Sequence, residues 1–150
     1  MTTRRVAPRR ALIFASAILS LLLARAPTRA SDPGYLRPGA DIERRTVRVE
    51  YVFDGDTFRE DDGTAYRIAG INAPEVAHPE HGKFDEEPGG EEAKDFLTPL
   101  ITGRQVEILI DRAHPTDRYG RTVAIVLLDG NDIALELLRA GLAEVRYADL

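Results

Sequence analysis

The sequence predicts an α+β fold, mainly β with helices, built on a five-stranded Greek-key barrel. Three observations carry that expectation. Five segments read as short strands, two segments carry helical periodicity, and the order is three strands, a helix, two strands and a helix. That order gives local pairing plus returns, without the strand-helix-strand alternation of a parallel sheet.

From Thr46 to Phe53 the odd positions Val47, Val49, Tyr51 and Phe53 are apolar while Arg48 and Glu50 are charged, the pattern of a strand with one buried face. A second strand is expected from Asp56 to Glu60. Asp61-Asp62-Gly63 then supplies a tight turn into a third, Thr64 to Ile71, completing an antiparallel meander. Ala93, Phe96, Leu97, Leu100 and Ile101 recur at helical spacing, which predicts a helix from about Glu91 to Ile101 with that stripe inward. Pro99 lies inside it and lacks an N–H, so a kink or an early end is expected, with Gly103 as the latest stop. The acidic run Asp85 to Glu92 leads into this helix, where carboxylates suit the dipole. Gln105 to Ile110 alternates, and Thr122 to Leu128 is continuously apolar, as in a strand buried on both faces. After the Asp129-Gly130 turn, Asn131 is placed to cap a helix from Asp132 to Ala140, with Ile133, Leu137 and Ala140 inward and Gly141 as its stop. Five strands with an intervening helix suit an OB-fold, the small barrel whose curved face and loops commonly hold oligonucleotides or oligosaccharides.

The 150 residues suffice for one domain. The absence of Cys excludes a disulfide framework and a thiolate zinc site, so a bound metal would take oxygen or nitrogen ligands. Residues 1–30 hold six Arg and no acid or Lys, while residues 31–150 hold 14 basic against 25 acidic side chains, a net −11. Such a body has no general positive field for nucleic acid or anionic lipid; any anion must be held by a few placed cations. Behind Arg4, Arg5, Arg9 and Arg10, the apolar run Ala11 to Ala24 precedes Thr28-Arg29-Ala30, which reads as a signal peptide over residues 1–30 cleaved after Ala30. The Arg9-Arg10 pair is a poor twin-arginine match, so general secretion is the expected route to a secreted or periplasmic protein. The alternative is an N-terminal membrane anchor, for which the run is short. Residues 31–45, with Pro33, Gly34, Pro38 and Gly39, are expected to form a flexible leader, and residues 46–150 the domain.

Three charged segments stand at strand ends: Asp54-Gly55-Asp56-Thr57, then Arg67 through Gly70-Ile71-Asn72-Ala73-Pro74-Glu75, then Asp117-Arg118-Tyr119-Gly120-Arg121. Each alone has an ordinary structural explanation. The aspartates can bond their own turn, Arg67 can pair across strands with Glu75, and the Tyr residues can pack at an edge. His78 and His81 sit in a Pro/Gly-rich loop without two further ligands, so they read as loop residues and not as a zinc pair.

Together, as DGDT, RIAGINAPE and DRYGR, and with GLAEVRY at Gly141 to Tyr147, these segments resemble the staphylococcal-type thermonuclease (micrococcal nuclease-like, SNase-like) family. The resemblance runs from about Val47 to Tyr147. It implies the OB-fold barrel already expected, and calcium-dependent hydrolysis of DNA and RNA phosphodiester bonds. Carried over by resemblance, Arg67 and Arg121 clamp the phosphate and Glu75 orients or deprotonates the attacking water. Ca2+ would be held by Asp56, the Asn72 side chain and the Ala73 backbone carbonyl, with Asp54 behind them. Arg118, Tyr119 and Tyr147 match positions near the bound nucleotide. The residue types suit the chemistry: a guanidinium makes two hydrogen bonds to phosphate and stays charged, and a hard cation takes oxygen ligands.

Two departures qualify the resemblance. Asn72 stands where the family has a metal-binding Asp, which predicts weaker calcium binding because a charged ligand is lost. The sequence also stops at Leu150, where family members continue into a further amphipathic helix, so exposed apolar area on the barrel is expected. The preferred expectation is an exported nuclease with DNA and RNA as substrates, no obligate protein partner and a monomeric state. Its rival is a nucleic-acid-binding OB-fold module without turnover, and a purely structural domain comes third.

Overall fold

A computed structural model describes residues 39–77 and 86–146. The signal segment, most of the leader, His78, His81, Asp85 and Tyr147 lie outside the described residues. β1, Ile42–Val52, is the strand on which the barrel is wound. Its first half pairs antiparallel with β5 (Gln105–Asp111) and its second with β2 (Thr57–Glu60). β2 pairs antiparallel with β3 (Ala65–Ile68), and β5 with β6 (Thr122–Leu128). A parallel pairing of β3 with β6, from Tyr66 opposite Thr122 to Ile68 opposite Ala124, closes the five strands into a barrel. The expected architecture is present, with one parallel seam that the antiparallel reading did not anticipate.

Two short ladders add to it. β4 (Ile71–Asn72) pairs with β8 (Glu144–Val145), and β7 (Asn131–Asp132) extends β6. The helices are α1 (Gly90–Ile101) and α2 (Ile133–Arg139). Val47, Val49, Phe58, Tyr66, Ile68, Val106, Ile108 and Val126 form one buried cluster with Leu97 and Ile101 of α1 and Ile133 and Leu137 of α2. Leu109, Ile125 and Leu127 form a second, with Ile42 and Ala69 packed against it. β6 therefore buries side chains on both faces, as its continuous apolar run predicts.

Where strict periodicity was expected, local chemistry shifts several elements. β1 begins at Ile42, inside the expected leader, because its pairing with β5 extends to Asp111. The register slips between Val49 and Tyr51, leaving Glu50 as a bulge. An extra residue reverses the alternation, so Val52 is buried while Tyr51 is exposed. The expected strand Thr64 to Ile71 is two strands, because the chain turns at Ala69 and Gly70. Pro99 does not end α1. It and Asp95, whose carbonyl loses its helical donor, are both exposed, so water can replace that bond. Phe96, expected inward, is 36% exposed, while Ala93, Leu97 and Ile101 carry the buried face. α2 starts at Ile133, one residue later than expected, so it is capped by Asp132 and not by Asn131: the Asp132 carboxylate accepts from the Ala134 N–H at 2.8 Å. Ala140 is exposed at the C-cap.

Candidate active site

The turn joining β1 to β2 carries Asp54, Gly55 and Asp56, all buried. Asp54 acts first as turn former, its Oδ1 accepting from the Asp56 N–H at 3.0 Å. Gly55 is required by close approach, since a Cβ there would lie 2.6 Å from the Cβ atoms of both Ala73 and Ala93. The contact wedges the acidic turn between α1 and the segment after β4. Gly90 does the same for the next residues: a Cβ on it would come within 2.5 Å of the Glu75 carbonyl oxygen. The first turn of α1 thereby positions Glu75, whose backbone N–H also donates to a Glu87 carboxylate oxygen at 3.1 Å.

Opposite Thr57 in the barrel wall stands Arg67, which like Asp56 is only 2% exposed. Its Nη1 donates to Asp56 Oδ1, and its Nη2 donates to the Ile71 carbonyl at 3.1 Å and to Asn72 Oδ1 at 3.0 Å. The other Asp56 oxygen accepts from the Ala73 N–H at 2.8 Å. The carboxylate across from Arg67 is thus Asp56. A buried pair of this kind is tolerable because further hydrogen bonds satisfy it. One donor is left over: among the described residues Arg67 Nε is buried without a partner. An orphaned buried N–H costs about 1–3 kcal/mol, a strain expected at a ligand site.

Arg121 reaches the same cluster from the loop before β6. Asp117 builds that loop, its Oδ1 accepting from the Tyr119 and Arg121 N–H groups at 2.9 and 3.0 Å and its Oδ2 from Arg121 Nε at 2.8 Å. Burial pushes the Asp117 carboxyl up, but these bonds outweigh it and hold the group below the usual carboxylate range. Thus fixed, Arg121 donates from Nη1 to Thr57 Oγ1 at 3.0 Å, and Thr57 Oγ1 donates to Asp56 Oδ1 at 2.9 Å. The Arg121, Thr57, Asp56 and Arg67 side chains form one hydrogen-bonded chain. Tyr119 is 69% exposed, with the Arg118 and Arg121 guanidinium carbons 4.8 and 5.4 Å from its ring centre.

Burial, with repulsion from Asp56 and Glu75, raises Asp54 to about 6. This crowding of negative charge fits a hard cation, which would relieve it. Among the described residues no three acidic or His side chains converge tightly enough to cage an ion alone, so backbone and water oxygens would complete its shell.

The structure therefore brings Asp54, Asp56, Arg67, Asn72, Ala73 and Arg121 together through these contacts, with Glu75 near enough to raise Asp54. Arg118 and Tyr119 lie on the exposed loop beside them. Two participants were not anticipated. Thr57 links the arginines, and Arg146, just after β8, donates from Nη1 to Asn72 Oδ1 at 3.4 Å. Only the β4–β8 register could have revealed Arg146.

Comparison with known proteins bears on this arrangement. The family described as Staphylococcal nuclease homologue matches residues 65–149, more than half of the chain. The chain belongs to that family. The match carries Arg67, Glu75 and Arg121, while Asp54 and Asp56 precede it. A thermonuclease of Staphylococcus intermedius is 29% identical over 119 residues, covering 77% of this chain and 68% of its own. A thermonuclease of Staphylococcus hyicus is 33% identical over 111 residues, 72% of this chain and 63% of its own. A protein named probable endonuclease LCL3 from Arthroderma otae is 32% identical over 168 aligned residues, 91% of this chain and 56% of its own. The chain thus spans between about half and two thirds of the length of these relatives.

Proposed function

We propose that this member of the family is an exported, calcium-dependent nuclease that hydrolyses phosphodiester bonds of DNA and RNA. One observation carries the reading: Arg67 and Arg121 are tied into a single hydrogen-bonded chain through Asp56 and Thr57, beside a crowded set of carboxylates. A phosphodiester gains negative charge on its non-bridging oxygens as it becomes five-coordinate. Preorganised donors aimed at those oxygens are worth most at that moment. Arg67 Nε and the Arg121 guanidinium, which Asp117 and Thr57 hold in place, are the donors proposed to meet them.

Glu75 accepts a proton from the attacking water, or orients it, so that a new P–O bond forms. The opposite P–O bond breaks, and the leaving oxygen takes up a proton as the 5′-hydroxyl, which leaves a 3′-phosphate, as the family resemblance implies. Asp56, the Ala73 carbonyl and the Asn72 oxygen would hold calcium, with Asp54 beside them; once bound there, calcium would supply positive charge to the phosphate and lower the cost of deprotonating water. Tyr119 offers an exposed ring for a base to stack on, with Arg118 next to it; Tyr147 is proposed for the same role. Export rests on the N-terminal Arg cluster and apolar run.

The test is nucleic-acid degradation by the exported protein, whose first residue is expected to be Ser31. Calcium should support cleavage of DNA and RNA, chelator should abolish it, and Arg67→Ala should slow it by about 10²–10³-fold. Cleavage indifferent to both changes overturns the mechanism, and tight binding without cleavage assigns the chain to the binding-module alternative.

A further inference from the structure

Thr57 ends the DGDT segment, and the family resemblance gives it no task. Its backbone has a local one: the Thr57 carbonyl accepts from the Phe53 and Asp54 N–H groups at 2.9 and 3.4 Å and closes the acidic turn. The residue is buried at the start of β2, with Arg67 opposite it on β3. There the hydroxyl lies between two groups that can each do only one thing. A carboxylate accepts and a guanidinium donates, so the direction of both bonds is settled: Thr57 Oγ1 gives its single proton to Asp56 Oδ1 at 2.9 Å and accepts from Arg121 Nη1 at 3.0 Å. A short hydroxyl suits that place because it donates and accepts at one atom.

The two neighbours depend on this hydroxyl unequally. Asp56 is also held by Arg67 Nη1 and by the Ala73 N–H. Arg121 has Nε and Nη2 on Asp117 Oδ2, at 2.8 and 2.7 Å, but Asp117 belongs to the same loop, four residues away. That pair ties the guanidinium to its own loop. The bond from Nη1 to Thr57 spans 64 positions and ties it to the barrel wall, and among the described residues Nη1 has no other hydrogen-bond partner. Loss of the hydroxyl would leave Asp56 where it is and let the Arg121 head swing about Asp117.

We infer that Thr57 is a positioning residue for phosphodiester cleavage: its hydroxyl fixes the Arg121 guanidinium against β2, in the orientation that meets the scissile phosphate. Each terminal nitrogen of Arg121 carries a second N–H, so the bonds to Thr57 and Asp117 orient the head without exhausting its donors. The inference rests on the nuclease reading and deepens it, since it gives an uncharged residue control over the aim of a charged one.

The experiment uses Thr57→Val, which keeps the branched outline of the side chain and removes only the hydroxyl. Single-turnover cleavage of an oligonucleotide in saturating calcium should slow by about 10–100-fold, because the lost bond is to a charged group. Thr57→Ser should recover most of that rate. In an Arg121→Ala background, Thr57→Val should slow the reaction by less than about twofold, because no head is left to aim. Calcium affinity, measured by calorimetry without nucleic acid, should stay within about twofold of wild type, because Asp56 keeps its two other donors. Thr57→Ala supplies the same comparisons if the valine variant does not fold. Equal slowing in both backgrounds, a wild-type rate without the hydroxyl, or a fall in calcium affinity as large as the fall in rate overturns the inference and leaves the nuclease reading standing. A wild-type protein that does not cleave in calcium overturns both.

Discussion

Asp54 bears the electrostatic cost of the site. Burial, Asp56 and Glu75 lift it to about 6 from an ordinary 3.8, so its charged form is disfavoured in the folded protein. Well below pH 3.8 the group is protonated in folded and unfolded chains alike and costs nothing. As the pH rises the unfolded chain loses that proton first, and the penalty grows until it is complete above pH 6, at roughly 3 kcal/mol without metal. Asp54→Asn keeps the oxygen that accepts from the Asp56 N–H and removes the charge. In chelator the variant should therefore match the wild type well below pH 3.8 and exceed it by that amount at pH 7, as measured by urea unfolding; parallel pH profiles would refute the assignment. Asn72 poses the converse problem, since two guanidinium groups already use its side-chain oxygen. Asn72→Asp adds a second oxygen and a charge, so half-saturation of activity should move to lower calcium; an unchanged or higher value contradicts a role for residue 72 in holding the ion. The motif residues were legible only as a set, because each segment alone has an ordinary structural explanation and the three together carry the family resemblance. The partners that aim them, Thr57 and Arg146, were not, because nothing local in the sequence says which side chains meet across 64 or 74 positions.

At the scale of elements, tight packing sets the site more than secondary structure does. Gly55 lets the acidic turn touch Ala73 and Ala93. Neither alanine Cβ can rotate away, so Gly55→Ala forces the turn off α1 and should cost about 1–3 kcal/mol of stability. Calcium-supported activity should fall further than the melting temperature suggests, because Asp54 and Asp56 flank the displaced residue. An alanine variant with wild-type melting and turnover would show that the contact does not position the turn. Periodicity located nearly every element and failed where one local interaction outweighed it. The Glu50 bulge exchanged Tyr51 for Val52 in the core, and an exposed Pro99 left α1 intact. Asp132, directly before the first helical residue Ile133, took the cap expected of Asn131. A bulge depends on the partner strand and a cap on which residue directly precedes the first helical turn, so neither follows from spacing alone.

For the whole molecule, the barrel is the device that makes distant segments converge. The parallel seam between β3 and β6 sets Arg67 opposite Val123, two residues beyond Arg121, and the β2–β3 pairing sets the same Arg67 opposite Thr57. Fold class followed from element order, but this closure is a long-range pairing between short strands, invisible to any local window. The consequence proposed for function is that Arg67 and Arg121 address one phosphate together. The most direct test measures single-turnover cleavage in saturating calcium for Arg67→Ala, Arg121→Ala and the double variant. Groups acting on one transition state lose about 10²–10³-fold each, and together far less than the product of the two losses. A double variant slowed by the full product would mean that the two arginines work independently, and would contradict the account.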